Sequence, residues 1–75
     1  MRYRGEVVRR TVARGSKSER PAVLLRTDKR EFVLRRQDGH PFHDTVLDGL
    51  VGKTIECEGI VDDYLLIIST WHVVA

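Results

Sequence analysis

Residues 53–62, KTIECEGIVD, put Ile55, Cys57, Gly59 and Val61 at alternate positions, with Thr54, Glu56, Glu58, Ile60 and Asp62 between them. Successive side chains of a strand point to opposite faces, so this pattern predicts a strand with one dry face and one wet face. Asp62-Asp63 makes a turn, because aspartate is a common turn former. Residues 64–74 then predict a second strand whose apolar centre, Leu65 to Ile68, is buried on both faces. A hairpin this apolar needs partner strands to cover it, and 52 residues precede it to supply them.

Those residues read as three more strands and one helix. Residues 3–14 carry Val7, Val8, Thr11 and Val12, which favour a strand. The doublets Val7-Val8 and Arg9-Arg10 break its alternation, which predicts a bulge, and Gly5 predicts a sharp bend. After a Gly/Ser-rich loop come residues 20–27 (RPAVLLRT) and 30–36 (REFVLRR), two apolar-centred strands at hairpin spacing across Asp28-Lys29. Pro21 suits the first residue of a strand. Residues 37–43 are turn-rich. Asp44 is placed to cap a short helix that carries Val46, Leu47, Leu50 and Val51 and stops at Gly52.

A chain of 75 residues makes one domain, residues 1–75, with a small core. Its 41% hydrophobic content supports a folded globule over a disordered basic arm. The single cysteine, Cys57, cannot close an intramolecular disulfide, so a reducing cytoplasm fits better than secretion. The start MRYRGEVVRR has no apolar stretch of signal-peptide length, and no apolar run is long enough to span a bilayer, so no membrane partner is expected.

Three strands, a helix and two strands, with a long kinked first strand, resemble the OB-fold, a five-stranded Greek-key barrel. The stretch Gly52-Lys53-Thr54-Ile55-Glu56-Cys57-Glu58-Gly59-Ile60-Val61, followed by Leu65-Leu66-Ile67-Ile68, looks like the fourth and fifth strands of single-strand-binding and primosomal proteins. The expected fold is therefore an all-β OB-fold barrel with one short helix between strands three and four. A five-stranded SH3-like barrel is the competing arrangement. The resemblance implies a binding face over strands two and three, flanked by the loops between strands one and two and between strands four and five.

Charge is sorted along this chain. Twelve of the thirteen Lys and Arg residues lie between Arg2 and Arg36 against four acids, a balance of +8; one lysine and seven acids follow, a balance of −6. Such asymmetry points to an anionic partner, with nucleic acid the commonest. On the implied face, the loop at residues 14–20 supplies Arg14, Lys17 and Arg20, with serines and a glycine that suit phosphate. Strands two and three add Arg26, Lys29, Arg30, Arg35 and Arg36, and strand one adds Arg9 and Arg10. Phe32 and Tyr64 are the aromatics placed to stack on bases.

The expected function is a non-enzymatic module that binds single-stranded DNA or RNA. Its alternative is a protein-interaction or self-assembly module, in which the positive half meets an acidic protein or the negative half of a second copy, as in a homodimer. The acids Asp62 and Asp63 border the proposed face and would repel phosphate. HPFH at residues 40–43 offers two imidazoles but not the four ligands of a structural zinc site. No cofactor or metal is expected. Cys57 lacks the histidine partner and oxyanion donors that a nucleophile requires. The serine-containing loop is not a P-loop.

Overall fold

The computed structural model describes residues 1–12, 15, 17, 20–39 and 44–75, and leaves the side chains of Val12 and Arg20 undescribed. The strands are β1 (Arg2–Val12), β2 (Arg20–Arg26), β3 (Glu31–Arg36), β4 (Thr54–Asp62) and β5 (Leu65–Val73), with one helix, α1 (Thr45–Asp48), between β3 and β4. They close into a barrel in the order β1-β2-β3-β5-β4. All pairings are antiparallel except β3 with β5, which is parallel. The all-β expectation and the position of the helix hold.

The first strand is long because it serves two partners. Its residues Arg2 to Glu6 pair with β4 and Glu6 to Val12 pair with β2, with Glu6 shared. The expected bend at Gly5 sits beside this exchange. A methyl group on Gly5 would overlap the Arg26 carbonyl and lie 2.9 Å from its carbon. The bulge expected in this strand is absent, since pairing runs unbroken from Glu6 to Val12. The Val7-Val8 doublet puts one valine on each face instead: Val7 is fully buried and Val8 half-buried. The slip in the barrel falls where Glu58 pairs with Thr70 and Gly59 with Ile68, which leaves Ser69 as the extra residue of β5.

Inside the barrel, Val7, Leu25, Phe32, Leu34, Ile55, Cys57, Leu66 and Ile68 form one cluster, with Tyr3, Val23 and Trp71 packed against it. Leu47 and Leu50, from α1 and the turn after it, belong to the same cluster and cover one end of the barrel. The 65–68 run is buried at Leu66 and Ile68 but only half-buried at Leu65 and Ile67, so β5 has one dry face rather than two. Barrel closure accounts for this, because the outer side of β5 faces solvent.

Asp44 caps α1 as expected. Its backbone is extended, and its side chain accepts from the Val46 amide at 3.0 Å. The helix is shorter than the apolar spacing implied. It ends at Gly49, and Leu50 and Val51 belong to turns that lead to Gly52, where φ is +90°. Residues 40–43 lie outside the described residues, as do Ala13 and Arg14.

Candidate nucleic-acid interface

Barrel alternation decides which cations share a surface. Tyr3, Gly5 and Val7 point inward on β1, so Arg2, Arg4, Glu6, Val8 and Arg10 point outward. On β2 and β3 the outward set is Ala22, Leu24, Arg26, Glu31, Val33 and Arg35. Among the described side chains, the part of this outer face that runs from the β1–β2 pairing across β3 carries Arg10, Arg26 and Arg35 against Glu6 and Glu31. Arg2 and Arg4 stand instead beside β4, opposite Glu58 and Glu56, with Arg2 3.6 Å from Glu58. The outer side of β4 and β5 carries Glu56, Glu58 and Asp62 with His72. The charge split along the chain thus becomes two sides of one barrel.

A row of aliphatic side chains crosses the basic face. Val8 pairs with Leu24, Leu24 with Val33, and Val33 with Leu65. Leu24 is only 7% exposed although it lies outside the core cluster. Arg10 and Glu31 account for this: they bond at 2.9 Å from β1 and β3, across the outer side of β2, and the register sets Leu24 between their levels. Arg26 pairs with Glu6 on the same face. Both pairs are exposed enough that each is worth about 0–1 kcal/mol, so exchanging a glutamate for a phosphate costs little.

The remaining expected site residues divide. Arg35 is half-buried beside Ile67, with no acid within salt-bridge distance among the described residues. Lys29 and Arg30 lie in the β2–β3 turn, where the Thr27 hydroxyl accepts from both backbone amides. Arg30 also donates to the Asp63 carbonyl at 3.3 Å, which ties this turn to the β4–β5 turn. Tyr64 occupies that second turn with Asp63 rather than opening β5, and it is 53% exposed. Lys17 is exposed. Arg14 falls outside the described residues, as does the side chain of Arg20.

Three expected contacts are corrected. Phe32 is 5% exposed, its ring packed edge-on against Tyr3 with centroids 5.5 Å apart, and the Arg30 guanidinium lies 4.6 Å from its centroid. It is a core residue with no face free for a base. Arg9 is turned toward the helix and bonds Asp48 at 2.6 Å, linking β1 to α1. Arg36 holds the fold together: its Nε donates to Asp44 Oδ2 at 2.7 Å and its Nη2 to Oδ1 at 3.0 Å. The Asp44 side chain is 6% exposed, and the guanidinium of Arg36 lies 5.6 Å from the Trp71 ring centroid.

Conversely, the sequence reading missed Arg2, Arg4 and the outer aliphatic row. The signal for the first two was available, since phasing β1 on Tyr3, Gly5 and Val7 turns both outward. The Leu24-Leu25 doublet was the signal for the row, with one leucine for each face. In the barrel Cys57 is 3% exposed, and burial pushes its thiol up to about 11. At pH 8 a disulfide reagent should therefore label it at least 100-fold more slowly than a free thiol, and at the free-thiol rate in denaturant. Native labelling as fast as that of a small free thiol would show the barrel open at Cys57.

No helix among the described residues is long and apolar enough to cross a membrane. Comparison with protein-family models, curated proteins and solved structures found no match.

Proposed function

We propose that this chain is a non-enzymatic OB-fold module that binds single-stranded DNA or RNA on the outer face of β1–β3. The fold part of the reading is supported by the circuit β1-β2-β3-β5-β4, the parallel β3–β5 closure and the helix between β3 and β4. The observation that carries the binding part is the aliphatic row of Val8, Leu24 and Val33 set among Arg10, Arg26 and Arg35. Arginines pair with phosphates, and exchange of Glu31 for a phosphate on Arg10 uncovers Leu24, so that bases lie along Val8, Leu24 and Val33. Lys29 and the loop residues Arg14, Lys17 and Arg20 extend the set. Phe32, Arg9 and Arg36 leave it.

The platform is aliphatic rather than aromatic, so affinity rests mainly on charge and is expected in the micromolar range. Four to six neutralised phosphates give a slope of log K against log[salt] of about −3 to −4 for a single strand. Fluorescence anisotropy of a labelled oligonucleotide at several salt concentrations measures this slope. Arg10→Glu/Arg35→Glu should weaken binding at least ten-fold and flatten the slope by about 1 to 2. Absence of binding at 20 mM salt on the order of ten-micromolar protein would end this reading.

A further inference from the structure

The β4–β5 hairpin exposes apolar side chains that no part of the described barrel covers. Ile60 is 72% exposed, Tyr64 53% and Val61 37%. They surround Asp62 and Asp63, both exposed, with Asp63 at a φ of 58° in the two-residue turn. The two carboxylates between these apolar side chains disfavour a phosphate partner, whether nucleic acid or anionic lipid. What fits it is a basic surface with apolar side chains in it, and this chain carries one: half-buried Val8 and Val33 among Arg10, Arg26 and Arg35, with Leu24 beneath the Arg10–Glu31 pair.

We infer that a second copy of this chain docks there, the acidic hairpin of each copy on the basic face of the other. The two complementary surfaces adjoin within one barrel. Arg35 pairs with Ile67 and Ile67 with Ile60, while Val33 pairs with Leu65 and Leu65 with Asp62. A twofold rotation therefore forms both hairpin-to-face contacts at once and closes the assembly as a dimer, with no free surface left to extend it. Each contact is only a few strands wide, in the range of small transient interfaces, so a weak association that depends on protein concentration is expected. Because the dimer covers the face assigned above to nucleic acid, the two partners exclude one another; this last point rests on that assignment.

Sedimentation velocity across a concentration series at 20 and 500 mM salt tests the dimer. The wild type should associate at low salt and dissociate at high salt. Ile60→Lys, at a site too exposed to affect folding, should weaken association at least ten-fold with an unchanged melting curve. Asp62→Lys/Asp63→Lys and Arg10→Glu/Arg35→Glu should each be monomeric alone, yet associate when mixed, since both hairpin-to-face contacts of the mixed dimer are again of opposite charge. A wild type that stays monomeric at about 0.5 mM and low salt, or a mixture that stays monomeric, overturns the inference.

A labelled oligonucleotide then separates the two readings. Displacement of dimer into a one-to-one protein–oligonucleotide complex supports mutual exclusion. A ternary complex with the dimer intact overturns the shared face. A dimer that binds no oligonucleotide at all removes the nucleic-acid reading and keeps the dimer.

Discussion

Asp44→Ala is expected to lower the melting temperature by about 10–20 °C, a shift of roughly 4–8 °C for each kcal/mol in a domain of this size. One carboxylate does two jobs there. It accepts from the Val46 amide as the cap of α1, worth about 1 kcal/mol. It also takes two hydrogen bonds from Arg36, and bonds to charged groups add about 1.5 kcal/mol or more. Gly39 leaves room for this pair: a methyl group there would strike the Asp44 carboxylate and sit 3.0 Å from the Arg36 Cβ.

The same residue makes stability depend on pH. The Arg36 hydrogen bonds hold the Asp44 carboxyl below the ordinary carboxylate range, burial acts in the opposite sense, and the Val46 amide adds a further lowering. A group whose folded value is depressed stabilises fully above its unfolded value, about 3.9 for aspartate, and loses that stabilisation as pH falls through the lower folded value. Wild-type stability should therefore fall as pH drops below about 4. Asn at position 44 keeps a capping oxygen and removes the charge. Asp44→Asn should thus flatten this acid limb and lower the neutral-pH plateau, because its amide nitrogen cannot accept from Arg36 Nε, while Asp44→Ala lowers the plateau further by losing the cap as well. Thermal melts of the three proteins from pH 3 to pH 7 measure both effects, and superimposable profiles would refute the assignment.

The contrast between Asp44 and Arg36 marks what the sequence can convey. A cap is local: an aspartate just ahead of an apolar-periodic segment announces itself within four residues. The 53–62 alternation and the 27–30 turn are local in the same sense, and both were legible. Arg36 looked like one more cation of a basic segment because its partner Asp44, eight residues on, is recognised only once the two are brought together in the fold. Arg9–Asp48 and Arg10–Glu31 are likewise pairs across 39 and 21 residues. An arginine count therefore overstates the charge available to a ligand. The phase of β1 was lost for a related reason. A doublet such as Val7-Val8 reads as a bulge in isolation and as one residue for each face once Leu25 and Leu24 stand opposite.

Gly59→Ala is expected to cost about 3 kcal/mol, against a total of roughly 4–11 kcal/mol for a domain of 75 residues at 0.05–0.15 kcal/mol per residue. At Gly59 the strands β4 and β5 approach too closely for a side chain. A methyl group would overlap the Ile67 carbonyl oxygen and lie 2.8 Å from its carbon and 2.9 Å from the Ile68 Cα. All three are backbone atoms, so no rotamer change relieves the contact. The residue sits where the ladder slips past Ser69, and its amide bonds the Met1 carbonyl at 3.1 Å, so moving it also loosens the start of β1. Gly5, on the neighbouring strand β1, meets the Arg26 carbonyl of β2 in the same way, which makes Gly5→Ala a matched comparison at the β1–β2 contact. Denaturant titration of both variants should show midpoints well below wild type. A Gly59→Ala midpoint within error of wild type would mean that β4 and β5 lie farther apart than described. Because Ile60 to Tyr64 follow directly, a folded Gly59→Ala protein should also lose self-association as its hairpin shifts, while still binding oligonucleotide on the unaltered face of β1–β3.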